Sequence, residues 1–454
     1  MFSFVLWLFS FVFLCSLVVF RCFEKNKSHP LLLDMIVAKA LILLNQSVMK
    51  SLRPLFSGFL SALLLISCSD SSVSSDAKNN KSKNPSLDSL NFTAEEAPEW
   101  TALFKRQRGW FGGDGIFSVN MNGKETPASS DDSAILCWFS DSMLGEIKDS
   151  LHAGSEMINN SAALLRCKTA DTAAIGFFWG KQNGRNTALF IPNTPHTKKG
   201  EYYWLGDGFI NHEKNNDLYI FSYRMQNTGA AVFGFKEVGN ALIIVPRESK
   251  PPFTMYRQVE IPFFEGKESD TAGTWGCGVY VNTKEAGAAN ADGYLYVYGI
   301  KGKDKEVIVA RVKPADIESF QRWTFWDGKS WNHNAAALAP VADHASNELG
   351  LMQLQDGRYA LIFHEDGLGK HVELKLGKTP SGPFGKTIKI WNCDKDISMD
   401  KDFISYNSKV HPVLSKKNEL IISYNVNSLD FTNDLKQYPD FYRPRFIRLK
   451  VLPN

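Results

Sequence analysis

Two aspartates occupy the same short context in distant parts of the chain: Asp114 in Gly113-Asp114-Gly115 and Asp207 in Gly206-Asp207-Gly208. A carboxyl flanked by glycines often does no more than cap a turn. Two of them at matched positions of similar segments can also meet in a fold and act as a pair. Two further acids stand beside comparable apolar runs, Asp141 in Phe139-Ser140-Asp141-Ser142 and Glu348 after Ser346-Asn347. Carboxyls packed together cannot all ionise, so one keeps a proton beside an ionised neighbour. Glycoside hydrolysis needs that combination: one carboxyl protonates the leaving oxygen while the other attacks carbon or activates water. Trp275, beside Gly276, offers an aromatic face for a sugar. Lys409 and His411 enter from a later segment, and Arg443 and Arg445 lie in YRPRFIRL. The arginines fit two uses, binding a substrate hydroxyl or carboxylate, or balancing the clustered aspartates, and the second is favoured because grouped carboxylates need a counter-charge.

Other chemistries leave no mark. GxSxG, HExxH, P-loop and dinucleotide fingerprints are absent, and the nine histidines are too scattered for a sequence-local metal site. No cofactor is implied, and no ligand set for a Ca²⁺ in a channel is visible. A net charge of +3 over 454 residues, with no basic stripe, argues against nucleic acid as the main partner.

The elements that must position these residues are short strands. From about residue 97 onward there is no long helical period, only apolar runs bounded by Gly, Asp and Asn. Five runs are alike: AILCWFS from Ala134, DLYIFSY from Asp217, YLYVYG from Tyr294, RYALIF from Arg358 and ELIISY from Glu419, starting 83, 77, 64 and 61 residues apart. Each suits a buried central strand rich in aromatic and β-branched residues. A second segment precedes each run: GGDGIFSV, WLGDGFI, TWGCGVYV, NELGLMQL and KVHPVL. A third often follows, as in EVIVARV, HVELKLG and RFIRLKV. An antiparallel unit used five times predicts an all-β, five-bladed β-propeller, with a β-sandwich as the competing arrangement. A short helix is expected from Pro314 to Phe320. In a propeller the first strand of each blade lines the axle, so Asp114, Asp207, Trp275-Gly276, Glu348 and Lys409/His411 should converge on one mouth.

The amino terminus reads as an export signal. Residues 49–67 carry Lys50 and Arg53, an apolar stretch from Leu55 to Ile66, and then Leu65-Ile66-Ser67 before Cys68. The order of the three parts resembles a bacterial lipoprotein signal, in which Cys68 receives the lipid; a plain membrane anchor is the alternative. Residues 1–48 hold further apolar sequence that such a signal does not require. They are either an upstream extension outside the native protein or an added transmembrane helix. Residues 68–96 are polar and Ser/Asn/Lys-rich and read as a disordered tether, leaving 97–454 as the domain. Of the seven cysteines, four lie in that domain, mostly in apolar runs, and are expected to be free buried thiols.

GWFGGDGIFSVNM followed by AILCWFSDSMLG resembles the opening of bacterial propellers of domain-of-unknown-function family 4185 and its relatives. FQRWTFWDGKSWN, GKTPSGPF and YRPRFIRL are similar to segments common in that group. Some members are glycoside hydrolases of family 183 type, acting on arabinofuranose polymers. The wider superfamily resembled, the arabinanase and xylosidase propellers, places an Asp in blade one, an Asp in blade two and a Glu in blade three. Asp114 and Asp207 match the first two positions. Blade three has Thr274-Trp275-Gly276-Cys277 and no acid, so Asp141 or Glu348 would have to supply the proton. The resemblance thus implies an extracytoplasmic lipoprotein glycosidase of a pentose- or furanoside-containing glycan. Asp114 would be its nucleophile or base and Asp207 would orient the sugar or tune the acids. Trp275, His411 and Arg443 would contact substrate. A non-catalytic glycan-binding propeller is the competing expectation; either would be a monomer, held to the membrane through its lipid.

Overall fold

A computed structural model describes residues 85–453, apart from 128–132, 149–150, 230–233 and 265–272. Cys68, the signal segment, residues 1–48 and the tether up to residue 84 lie outside the described residues. No helix among the described residues is long and apolar enough to cross a membrane.

Five antiparallel sheets follow one another along the chain. Blade I orders Phe117–Asn120, Ile135–Phe139, Ser161–Leu165 and Ile175–Phe178. Blade II orders Tyr202–Asn211, Asp217–Asn227, Phe235–Val245 and Arg257–Ile261. Blade III runs from Thr274–Asn282 through Tyr294–Lys301 and Glu306–Val312 to the short pieces Thr324–Trp326 and Trp331–Asn332. Blade IV orders Leu349–Gln353, Tyr359–His364, His371–Gly377 and Ile388–Asn392. Blade V orders Phe403–Val410, Glu419–Ser428 and Pro444–Val451, and takes its outermost strand, Phe92–Glu96, from the other end of the domain.

All five repeated runs are second strands, the most fully covered position in each sheet. The buried hydrophobic residues fall into five clusters, and each draws on two adjacent blades: I with II, II with III, III with IV, IV with V, and V with I. That arrangement closes a ring, since a sandwich would bury one shared interior. Each large apolar side chain taken fully out of water contributes about 1.5–3 kcal/mol.

Several expectations need correction. The tether drawn to residue 96 ends earlier: Phe92 pairs with Val451 and Glu96 with Ile447, which zips the ring shut. Just ahead of this strand, the Arg358 guanidinium donates to the Ser86 and Ser89 carbonyls, the latter at 2.8 Å. In blade V the innermost strand is Phe403–Val410, so KVHPVL marks its end and the turn beyond it. The helix expected over Pro314–Phe320 is reduced to two single 3₁₀ turns, Pro314–Asp316 and Phe320–Arg322. Gly112-Gly113 closes Arg108–Gly113, which joins Ser142–Lys148 and Leu151–Ile158 in a separate three-stranded sheet beside blade I. Cys137, Cys277 and Cys393 are free and buried, and Cys167 is free and partly exposed.

Three innermost strands carry register breaks: Leu205/Gly208 in blade II, Trp275/Gly278 in blade III and Tyr406/Lys409 in blade V. A bulge re-aims side chains that strict alternation would send elsewhere. These bulges hold Asp207, Cys277 and the approach to Lys409.

Candidate active site

The turn between the small sheet and blade I presents Asp114. Its backbone is fixed against Asp141, with the Asp114 N–H donating to the Asp141 carbonyl at 3.2 Å and the Ser140 N–H donating to the Asp114 carbonyl at 2.9 Å. The next residue, Gly115, has φ +60°, and a side chain there would meet Ser140 Oγ at 2.9 Å and Glu348 Oε1 at 3.0 Å. The glycines around Asp114 are therefore required by close approach, and they bring the acids of blades I and IV together.

The Asp114 carboxyl accepts a hydrogen bond from the Tyr406 hydroxyl at 2.6 Å, and Tyr406 in turn accepts one from the Asn427 amide at 3.1 Å. Tyr442 supplies a second hydroxyl contact, and the Lys409 ammonium favours the charged form through space. Burial works the other way and leaves Asp114 above the usual carboxylate range. Asp141 is pushed up to about 7, first by burial and then by the charge of Asp114, against the Trp204 indole and the Asn159 amide. The Asn159 amide donates to Asp141 Oδ1 at 3.2 Å. Two neighbouring carboxyls of unequal environment thus share the available proton. The tyrosine hydroxyls and Lys409 favour the anion at Asp114, which leaves the proton on Asp141.

Asp141 opens onto a depression of about 460 Å³ lined by Met157, Asn159, Tyr202, Trp204, Asn227 and Phe235, among others. Trp204 packs edge-on to Phe235 at 4.5 Å and lies 6.2 Å from Tyr202. The aromatic surface beside Asp141 is built by blade II.

Asp207 sits in the channel but in another environment. Its carboxyl accepts from the Gly208 N–H at 2.8 Å and from the Val279 N–H of blade III at 2.7 Å. Burial still raises it to about 7, despite those donors and Lys409. With Glu125, Lys409 and His411 it lines a narrow passage of about 40 Å³. Glu125 is itself held far above its ordinary range by burial and by Asp207. Asp114 and Asp207 thus share the axle and the field of Lys409, but the acid facing Asp114 at the mouth is Asp141.

Glu348 is in contact with Lys409, and both are almost fully buried, so its carboxyl is engaged inside the channel. His411 is enclosed between the Ser118 hydroxyl at 2.8 Å and the Ser423 hydroxyl at 2.7 Å. Burial, with Lys409 close by, takes His411 down to about 3, so it is a neutral structural ring and not a substrate contact. Trp275 has no exposed surface and lies in the core between blades II and III, with Trp323 at 6.4 Å and Phe325 at 5.7 Å. It has no free face for a sugar; the bulge at Gly276-Cys277 turns it away from the axle. Arg443 is also buried, and it donates to the Phe111 carbonyl at 2.9 Å and pairs with Asp440 at 2.6 Å. Arg445 bonds the Phe441 and Arg443 carbonyls. Neither arginine balances the channel acids; the basic group near them is Lys409, which burial holds well below the ordinary lysine range against the pull of Asp207 and Asp114.

The sequence reading missed Tyr406, Tyr442, Trp204 and Tyr202. Trp204 lies in WLGDGFI, three residues before Asp207, where alternation turns it to a different surface. Tyr406 precedes Lys409 by three residues across a bulge, and no local pattern marks it. Away from the channel, Asp400, Asp402 and Asp434 bring carboxylate oxygens within 4.8 Å of one another, a geometry that could hold a cation. Asp434 already accepts from the Ser428 hydroxyl.

Among solved structures, a protein from Bacteroides ovatus ATCC 8483 provisionally named a hydrolase is similar over 82% of this chain and 97% of its own, at 21% identity and a TM-score of 0.58. An α-L-arabinofuranosidase from Clostridium thermocellum ATCC 27405 matches 73% of this chain and 94% of its own, at 11% identity and a TM-score of 0.40. A family 43 arabinoxylan arabinofuranohydrolase from Bacillus subtilis matches 76% and 64%, at 13% identity and a TM-score of 0.39. At these identities the likeness is one of fold, the five-bladed propeller. No curated protein sequence matches. A family model described as domain of unknown function DUF5005 matches residues 98–451, while the narrower likeness to families 4185 and 183 rests on motifs alone. The channel, its acids and the closing strand of blade V all fall within or directly beside that span, and the chain belongs to the DUF5005 family.

Proposed function

We propose that this protein is a glycoside hydrolase of a pentose- or furanoside-containing glycan, working outside the cytoplasm and anchored through a lipid on Cys68. The observation that carries the hydrolase reading is the unequal pair at the channel mouth. Asp114, bonded by Tyr406, is favoured as the anion, and Asp141, pushed up to about 7, is still about half protonated at neutral pH. Asp141 would protonate the leaving glycosidic oxygen, and Asp114 would attack the anomeric carbon or take a proton from water. Tyr202, Trp204 and Phe235 would stack on the sugar beside Asp141, the part once expected of Trp275. Asp207 would act on the acids through the field it shares with them, not by touching substrate.

The test is turnover of arabinans, xylans and galactans by the purified domain, with Asp114→Asn and Asp141→Asn measured separately. Loss of turnover with glycan binding retained supports the enzyme. A wild-type protein that binds a glycan and turns over none of those offered is a binding module, and the hydrolase reading fails. The anchor has its own test: Cys68→Ala should abolish labelling of the expressed full chain by a radiolabelled fatty acid and release the domain from the membrane fraction.

A further inference from the structure

Asp141 stands where the chain changes sheets. The second strand of blade I, Ile135–Phe139, runs on into Ser142–Lys148 of the small sheet, and Leu151–Ile158 leads back into Ser161–Leu165 of blade I. Phe139 pairs with Ser161 and Ser142 with Ile158, so Ser140-Asp141 and Asn159-Asn160 meet at the crossing. The Ser142 and Ser161 hydroxyls bond across it at 2.7 Å. Asn160 is fully buried: its amide donates to the Phe190 carbonyl at 2.9 Å and to the Tyr203 carbonyl at 3.1 Å, and its side-chain oxygen accepts from the Phe190 N–H at 2.7 Å. That clamp ties the crossing to the blade II strand on which Tyr202 and Trp204 flank Tyr203. Asn159 is thereby held beside the acid, and its amide donates to Asp141 Oδ1 at 3.2 Å. The Trp204 indole lines the same depression, but its nitrogen makes no hydrogen bond among the described residues.

A carboxyl oxygen that accepts an N–H acts as the acceptor, and the proton of the acid form goes to the other oxygen. We propose that Asn159 is a positioning residue for the reaction: by engaging Oδ1 it directs the proton of Asp141 to Oδ2, and it keeps hold of the carboxylate once that proton has left. In the transfer the Oδ2–H bond breaks, the glycosidic oxygen takes the proton together with the electron pair of its bond to the anomeric carbon, and Asp141 is left as an anion still bonded by Asn159. The inference rests on the hydrolase reading for its effect on turnover, but the hold on Asp141 is a property of the folded protein alone. A donor that favours the charged form makes the carboxyl a stronger acid, so losing the amide must weaken it. The titratable groups facing Asp141 are Asp114 in the adjoining turn, Tyr202 of blade II, and Tyr406 and Tyr442 from the blade V segment. All four stay in place when only Asn159 is changed.

The test labels the protein with ¹³C at its aspartate carboxyls and follows Asp141 by NMR through a pH titration in the wild type, Asn159→Ala and Asn159→Asp. Asn159→Ala should move the Asp141 titration up by about 1 pH unit, the worth of one hydrogen bond to a charged group. Asn159→Asp replaces the donor with a like charge and should move it further up. On a glycan that the wild type cleaves, kcat at each variant's optimum should fall by about 10–100-fold with KM little changed. The alkaline limb of kcat/KM should move up with the titration, and an aryl glycoside with an acidic phenol should lose far less. An Asp141 titration that stays in place or moves down overturns the proposal. So does a loss confined to KM, which would make Asn159 a substrate contact only. Asn159→Asp keeps the size of the side chain and decides by itself if Asn159→Ala does not fold. If the wild type cleaves no glycan, the hydrolase reading falls and the titrations still decide whether Asn159 holds Asp141.

Discussion

The acids at the mouth differ by environment and not by residue type, so their substitutions should differ in kind. Asp114→Asn removes the anion that Tyr406 bonds and should cost about 10²–10⁴-fold in kcat with binding retained. Asp141→Asn removes the proposed proton donor and should spare substrates whose leaving group needs no protonation, which an aryl glycoside with an acidic phenol would reveal. With Asp141 held at about 7 and proposed to work protonated, kcat/KM should fall as pH rises above about 7. Asp207 offers a stability test. Its carboxyl is raised from 3.8 to about 7, so the folded protein holds a proton there that the unfolded chain has released. The stability this contributes is full below about 4 and is lost as pH rises through about 7. In melting experiments Asp207→Asn should therefore gain on the wild type between pH 5 and pH 8. A difference in melting temperature that does not change with pH would contradict the assignment.

At the scale of the strand, the bulges are where function departs from pattern. Regular alternation makes the second strands easy to find, because each is buried on both faces and reads as an unbroken apolar run. It fails on the innermost strands, where a register break at Leu205/Gly208, Trp275/Gly278 or Tyr406/Lys409 changes which residues meet the axle. Trp275 is the clearest loss: it stands beside the bulge and looks available, yet it is core. Gly276 shows what the bulge requires. It has φ +96°, and a side chain there would run into Phe221. Gly276→Ala should destabilise the domain by about 1–3 kcal/mol in urea unfolding. Gly184→Ala, at a turn with φ +77° and open space, carries the backbone cost without the clash and should cost less.

The blades of the described domain form a ring, and a ring needs a clasp. Phe92–Glu96 supplies it by pairing with Pro444–Val451, so the segment preceding the domain and its last strand are parts of one blade. Deleting residues up to 96 should expose the edge of blade V and lower the melting temperature well beyond what deletion up to 84 does. Equal melting temperatures would show that the clasp is dispensable. By itself, the sequence determined the number of blades, the second strands, the free thiols and the nomination of Asp114 and Asp141, because these depend on local periodicity, local turn chemistry and residue type. Only the tertiary structure decided that Asp141 is the acid facing Asp114, that Glu348 is bound to Lys409, that Trp275, His411 and Arg443 face inward packing, and that Trp204 and Tyr406 belong to the site. Those outcomes depend on which strands neighbour one another across the axle and where a bulge turns a side chain, and both are fixed by contacts between residues hundreds of positions apart.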